Sequence, residues 1–149
     1  MNNDLFKIRS YRPADNKQLS SIWHEASSQA HAFLGEERLR QQMTLIETTY
    51  LPKAETWVAC LDETPVGFIV LIDTFIGGLF VSPAHRGTGI GAALLAHAFR
   101  LKGDLSLTVY GQNKEAHRFY RRHGFHDVSY HPGDDDGLPF PIIHMKSRI

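Results

Sequence analysis

This chain of 149 residues has almost no cysteine, no long apolar run and no excess of charge. Cys60 is the only cysteine, so an internal disulfide is excluded and a reducing, cytoplasmic setting is expected. No apolar run approaches the length of a membrane-spanning helix, and the first residues show no signal-peptide pattern. Lysine plus arginine and aspartate plus glutamate number 16 each. Without a basic field, neither nucleic acid nor a membrane surface is expected as a partner.

The histidines and the acidic run lack the spacing of a metal site. His123, His126 and His131 have no cysteine partner and no HExxH pattern, and Gly124 interrupts the helix between the first two. The run 134–137 (Asp-Asp-Asp-Gly) has no downstream glutamate to complete a calcium loop. It is interpreted as a solvated turn, and attraction of a cationic acceptor is a second hypothesis for it. We therefore expect no metal.

Hydrophobic periodicity predicts one domain, residues 1–149, in which a mixed α/β sheet carries helices on both faces. Helices are expected after Pro13, along a stripe from Leu39 to Tyr50 that stops at Pro52, from Ile90 to Gly103 with a core face that includes Leu101, and from Asn113 to Gly124. Strands are expected at 5–9, 57–61, 66–72, 74–81, 105–109, 125–130 and 142–145.

The strand at 74–81 has two unusual features. It is followed by a helix and then by the strand at 105–109, an order that implies parallel pairing through a right-handed crossover. It also contains Gly77-Gly78, and paired glycines within a strand indicate a bulge or the close approach of a ligand. Both interpretations remain open at this point.

A glycine-rich turn joins this strand to the next helix. In Arg86-Gly87-Thr88-Gly89-Ile90-Gly91, glycines at alternate positions leave backbone N–H groups unobstructed where the helix dipole is positive, as a phosphate site requires. No lysine follows Gly91, so a P-loop is excluded. The glycine spacing and the missing acidic residue also disfavour a dinucleotide site. Arg86 is a candidate for a second phosphate contact.

Two stretches resemble the GCN5-related N-acetyltransferase (GNAT) family. Residues 86–91 match that family's [QR]-x-x-G-x-[GA] pyrophosphate loop, and residues 113–125 match its N-x-x-A-x-x-F-Y-x-x-x-G-F element. The order of elements fits as well, so the resemblance covers nearly the whole chain. A weaker likeness, to small bacterial members with an H-x-F-L stretch, lies at 31–34. The resemblance implies a largely antiparallel mixed sheet, splayed between strands 4 and 5.

The resemblance also implies acetyl-CoA as the acetyl donor, with its pantetheine arm in the splay and its pyrophosphate at the glycine turn. The cofactor-binding residues that it indicates are Leu79, Phe80, Val81, Arg86, Gly87, Thr88, Gly89, Ile90, Gly91, Ala92, Asn113, Phe119 and Tyr120. Leu79 and Val81 would bind the arm through their main chain. Asn113 would contact the cofactor or cap its helix.

Acetyl transfer to an amine places chemical demands on the site. The amine must lose its proton before it attacks the thioester, and the departing thiolate benefits from a proton donor. Tyr120, beside the sulfur in the resemblance, is the candidate acid, and a backbone N–H near Val81 is a candidate for stabilising the oxyanion. His31 is a possible base or acceptor contact. His24, Glu25, His144 or a chain of waters are alternatives, and Trp23, Trp57 and Phe75 are either core or acceptor-pocket wall.

The predicted function is therefore acetyl-CoA-dependent N-acetylation of a primary amine of a small molecule or peptide. One alternative is a non-catalytic acyl-CoA-binding or regulatory module, which would need the phosphate cradle but not Tyr120. Another is a nucleotide-binding protein. The oligomeric state stays open. A homodimer is possible, although no sequence feature indicates an interface.

Overall fold

A seven-stranded sheet forms the centre of the protein in the computed structural model, which describes residues 6–134 and 137–147. The strands are β1 (Lys7–Ser10), β2 (Glu55–Leu61), β3 (Thr64–Ile72), β4 (Phe75–Val81), β5 (Ser106–Tyr110), β6 (Phe125–His131) and β7 (Ile142–Ser147). Their order is β1-β2-β3-β4-β5-β7-β6, and β4–β5 is the one parallel pair. The predicted mixed, largely antiparallel sheet is confirmed. Leu5, Asp135 and Asp136, which fell within a predicted strand and a predicted turn, lie outside the described residues.

Helices cover both faces of this sheet, as predicted. They are α1 (Asn16–Ala30), α2 (Glu36–Leu45), α3 (Leu51–Lys53), α4 (Ile90–Lys102) and α5 (Lys114–Arg122), with short 3-10 helices at Pro13–Asp15, Ala32–Leu34 and Pro83–His85. Side chains of α1 and α2 form one core cluster with the sheet, and side chains of α4 and α5 form the other. None of the described helices has the length and apolar composition needed to cross a membrane.

The parallel pair β4–β5 separates after two residue pairs. Phe75 pairs with Ser106 and Ile76 with Leu107, and the described ladder ends there. Gly77 is the extra residue of a bulge, because the register against β3 slips at this point. A bulge bends its strand and increases the local twist. The predicted splay is confirmed, and it begins at the predicted Gly77-Gly78 irregularity.

The helix expected to stop at Pro52 continues past it. After α2 the chain forms a π-helical turn over Ile46–Tyr50, in which the Leu51 N–H donates to the Ile46 carbonyl five residues back. Proline lacks an N–H, and its ring clashes with the carbonyl four residues earlier in an α-helix. The wider turn accommodates Pro52 within α3, so the predicted stop was wrong and the helical segment ends at Lys53.

One predicted core position of α4 was also wrong. Leu101 is 47% exposed, whereas Ile90, Leu94 and Ala98 are buried as expected. Leu101 lies in the last turn of α4, one residue before the end of the helix. The helical periodicity predicted an apolar face as far as the last turn of α4, but the sheet does not cover that turn.

Candidate active site

The splay between β4 and β5 opens into a cavity of about 420 Å³ that connects the two faces of the sheet. Trp23 and His31 line it from the side of α1 and α2. Ala116 and Tyr120 of α5 line it from the opposite side. Two reactants can therefore enter from opposite faces and meet within one gap.

One wall of this gap is an unpaired strand edge. The Ser82 N–H donates to the Val66 carbonyl at 2.8 Å, so Ser82 directs its backbone groups towards β3. Because backbone direction alternates along a strand, Leu79 and Val81 direct theirs into the gap. Phe80 faces β3, opposite Phe68, and reaches the cavity through its side chain alone. Of the three predicted residues, two can thus supply main-chain hydrogen bonds to an extended ligand, and Phe80 cannot.

An uncapped helix terminus lies beyond the end of β4. The first intrahelical bond of α4 is donated by Ala93 to the Gly89 carbonyl at 3.0 Å. The N–H groups of Ile90, Gly91 and Ala92 precede it, and Gly89 has no side chain that could cap them. Together with the helix dipole, these groups make a site for an anion such as a pyrophosphate.

The glycines of this turn are needed for backbone conformation. Gly87 and Gly89 have φ values of 76° and 87°, which side-chain-bearing residues rarely adopt, although a Cβ would meet no atom within 4 Å. Positive φ is therefore a second reason for glycine here, beside the access to backbone N–H groups expected from the sequence. Thr88 fixes the turn by donating its hydroxyl to the His85 carbonyl at 2.6 Å. Arg86 is exposed beside it, where an anion can reach the guanidinium.

Tyr120 is a buried phenol on the α5 side of the sheet. It is 8% exposed, it lines the cavity, and its ring packs edge-on against Phe119 and Phe125 at centroid distances of 5.3 and 5.5 Å. Burial raises the pKa of Tyr120 well above its usual value near 10. Like an unshifted tyrosine, the phenol carries its proton at neutral pH, as a proton donor must.

Phe119 borders the helix terminus instead of the cavity. A Cβ built on Gly91 would lie 3.5 Å from the ring tip of Phe119, so the ring packs beside the first turn of α4. The same ring packs on His123 at a centroid distance of 4.4 Å. A cofactor contact by Phe119 stays a prediction.

His31 and Asn113 join the two sides of the gap. The Asn113 amide nitrogen lies 3.1 Å from His31 Nε2, while the amide oxygen caps α5 by accepting the Ala116 N–H at 3.2 Å. An amide NH₂ only donates, so Nε2 is the acceptor and the ring is neutral with its proton on Nδ1. Burial lowers the pKa of His31 to about 4. Of the two predicted roles for Asn113, the helix cap is the one formed here.

The other candidate bases lie away from the cavity. His24 pairs with Glu36 at 3.2 Å, Glu25 is exposed, and the ring of His144 packs on His131 at 4.6 Å. None of these side chains lines the described cavity, whereas His31 does. Within residues 6–134 and 137–147, no three His, Cys, Asp or Glu side chains form a metal-binding group.

The three aromatic residues with two possible roles differ in position, and Trp23 has both roles, because it is buried in the core cluster and also lines the cavity. Trp23 and Phe75 line the cavity. Trp57 instead packs against His97 at 4.4 Å and donates its indole N–H to Glu55, on the α4 side of β2. Trp57 is therefore a packing residue.

Several cavity-lining residues were missed by sequence reasoning. Tyr110 at the end of β5 is one of them, and further residues line the wall from α2, the π-helical turn and β3, namely Gln42, Leu45, Ile46, Tyr50 and Ile72. Asp134, part of the acidic run considered for a cationic acceptor, also lines the cavity, and its carboxylate accepts from the Tyr110 hydroxyl at 3.5 Å. The sequence offered one indication of this wall. Leu45 is apolar, yet it is not on the helical face that carries Leu39, Ile46 and Tyr50.

Comparison with known proteins gives a consistent result. A family model described as an acetyltransferase (GNAT) domain matches residues 52–127. The chain is 34% identical over 142 residues to the peptidyl-lysine N-acetyltransferase YjaB of Salmonella typhimurium, covering 95% of this chain and 97% of that protein.

Solved structures agree with this. The solution structure of apo YjaB from Escherichia coli is 32% identical, covers 95% of this chain and 97% of that chain, and has a TM-score of 0.87. The PaiA N-acetyltransferase of Thermoplasma acidophilum, solved in complex with coenzyme A, has a TM-score of 0.79 at 19% identity, with 97% and 99% covered. At this low identity, the likeness to the Thermoplasma acidophilum structure shows a shared fold.

Proposed function

The chain belongs to the GNAT family and is an acetyl-CoA-dependent N-acetyltransferase, and we propose that residues 1–149 form one catalytic domain that acetylates the side-chain amine of lysine in a peptide, with Tyr120 as general acid. The acceptor class is supported by the name of the Salmonella typhimurium relative, a peptidyl-lysine N-acetyltransferase. A cytoplasmic location is part of the proposal, since Cys60 is an unpaired thiol.

The observation that carries this proposal is the cavity that connects the two faces of the sheet. The uncapped terminus of α4 and the edge of β4 supply backbone donors and acceptors along the path that a pyrophosphate and an extended arm would follow. Tyr120 lies on the same side of the sheet as α4. The wall formed by α1, α2 and the π-helical turn then faces the acceptor.

Acetyl-CoA supplies an activated acyl group, whose carbonyl carbon forms a bond to nitrogen as its bond to sulfur breaks. We assign to Tyr120 the donation of its phenolic proton to the sulfur, after which solvent restores the proton. The raised pKa of Tyr120 makes the phenol a weak acid, so we expect proton transfer only as negative charge develops on the departing sulfur. The backbone N–H near Val81 is a proposed donor to the carbonyl oxygen.

We assign His31 to acceptor contact and not to base catalysis. A ring with a pKa of about 4 is a weak base at neutral pH. The lysine ammonium, whose pKa is about 10.4 in water, would instead lose its proton to water as the mostly apolar gap desolvates it. The water chain considered from sequence is therefore the proposed route.

The test compares Tyr120→Phe with Tyr130→Phe, a control at an exposed tyrosine on β6. Thiol release from acetyl-CoA is followed with a lysine peptide, and the acetylated product is identified by mass spectrometry. We expect Tyr120→Phe to lower kcat by about 10²-fold or more while the KM for acetyl-CoA changes little. An unchanged kcat across the pH range would remove Tyr120 from the mechanism.

A second measurement separates this proposal from the non-catalytic module. Wild-type protein that binds acetyl-CoA tightly but acetylates no lysine peptide and no small amine would contradict the proposed reaction. The module is the weaker candidate, because a sensor has no need for a buried phenol at the cavity.

A further inference from the structure

Exposed apolar side chains concentrate at the mouth of the cavity. Six large hydrophobic residues of the described chain are exposed, and three of them line this cavity, namely Leu45, Tyr50 and Ile72 at 50%, 42% and 44% exposure. The other three, Leu101, Val128 and Tyr130, do not line it. We call Leu45, Tyr50 and Ile72 the apolar rim.

The π-helical turn brings two members of the rim together. In a regular α-helix, residues five apart point in different directions, because one turn takes about 3.6 residues. The wider turn closes with a bond from the Leu51 N–H to the Ile46 carbonyl, five residues back. Leu45 and Tyr50, also five apart, consequently reach the same cavity. Wide turns of this kind within helices occur frequently at functional sites.

The size and position of the rim indicate its occupant. Three half-exposed side chains offer on the order of 250 Å², well below the about 800 Å² per partner of a stable protein interface, so a second copy of the chain is disfavoured. The rim is continuous with the cavity, on the wall opposite Tyr120. A group attached to the reacting amine would therefore lie against it.

We propose that the apolar rim binds an apolar or aromatic side chain next to the acceptor lysine, and so selects lysines with such neighbours. This inference rests on the proposed peptidyl-lysine activity. Burying an apolar neighbour against Leu45, Tyr50 and Ile72 removes apolar surface from water on both sides, whereas a glycine neighbour gains nothing there.

The test uses two capped peptides that differ at one place, with the acceptor lysine flanked by phenylalanine or by glycine. The rim variant combines Leu45→Ser and Ile72→Ser in one protein. Both positions are exposed, so folding tolerates polar groups there. The control variant combines Leu101→Ser and Val128→Ser, which remove similar exposed apolar groups away from the cavity.

Wild-type enzyme should show a kcat/KM about tenfold higher for the phenylalanine peptide, mainly through KM. The rim variant should lose most of this preference, because its kcat/KM falls more for the phenylalanine peptide than for the glycine peptide, while its KM for acetyl-CoA changes little. The control variant should keep the preference.

Three results would overturn the inference, and they distinguish the rim from the acceptor class. Equal kcat/KM for the two peptides with wild-type enzyme, or a preference that survives in the rim variant, refutes the rim alone. Acetylation of neither peptide by wild-type enzyme refutes the peptide acceptor, and the rim proposal falls with it.

Discussion

His31 should make the stability of the protein depend on pH in a way that one substitution removes. The neutral ring accepts a hydrogen bond from Asn113, and its burial lowers its pKa from 6.5 to about 4. The unfolded chain, in which His31 has an ordinary pKa, therefore takes up a proton first as the pH falls. The folded state loses stability from about pH 6.5 downwards, and the loss is complete near pH 4.

The size of the effect follows from the two pKa values. A group with pKa 6.5 unfolded and about 4 folded contributes fully above pH 6.5, and linkage gives a loss of about 2 kcal/mol between pH 7.5 and pH 5. Glutamine at position 31 accepts a hydrogen bond through its amide oxygen but does not titrate. His31→Gln should also lose ring packing against Phe33 and Tyr110, which shifts its stability equally at every pH.

Urea unfolding at a series of pH values measures this slope. The free energy of unfolding of wild type should fall by about 2 kcal/mol more than that of His31→Gln, which is about 1 M in midpoint if m is about 2 kcal/mol/M. His126→Gln removes an exposed imidazole of β6 and serves as the control. Parallel curves for wild type and His31→Gln would show that the buried ring titrates normally, and the reasoning from burial would then be wrong.

Two further predictions concern the α4 terminus and the first helix. Gly89→Ala forces a Cβ onto a residue with φ of 87° and should lower the free energy of unfolding by about 1 kcal/mol. It should also weaken coenzyme A binding, which calorimetry measures. Gly91→Ala, at a position without a positive φ, should leave stability nearly unchanged. Asp15→Asn breaks a buried pair with Arg9 at 2.8 Å and should lower the free energy of unfolding by about 1–3 kcal/mol at pH 7. Because this pair lowers the pKa of Asp15, the difference should shrink as the pH falls through that pKa, and an equal difference at pH 2 and pH 7 would contradict the assignment.

Two parts of the site could be predicted from sequence because local rules determine them. The turn at 86–91 needs positive φ at Gly87 and Gly89, and glycine is the residue that adopts it freely. Asn113 caps α5, as its side-chain chemistry favours. The Gly77-Gly78 pair likewise indicates a bulge or a ligand contact from its residue types alone, since few other reasons place two glycines in a strand.

The cavity wall formed by α2 and the π-helical turn could not be predicted in the same way. Leu45 and Tyr50 reach the cavity because a π-helical turn changes the angle between them, and the helical period assumed for the stripe has no such turn. Leu101 shows the opposite error, where a regular helix extends beyond the sheet that it covers. In both cases the side-chain environment depends on where an element ends relative to its neighbour, which is a tertiary property.

The gap between β4 and β5 follows from how each strand pairs with its other neighbour. β4 keeps its antiparallel ladder with β3 as far as Val81, and β5 keeps its ladder with β7 as far as Tyr110. Closing the gap would have to remove the Gly77 bulge or break one of these ladders. A ligand that pairs with the free edge of β4 therefore adds backbone hydrogen bonds and displaces none, which is the condition under which a preformed groove binds an extended chain well. The wall that we propose faces the acceptor is lined instead by side chains from α1, α2 and the π-helical turn. Recognition there would depend on the identity of those side chains, which no general sequence motif determines.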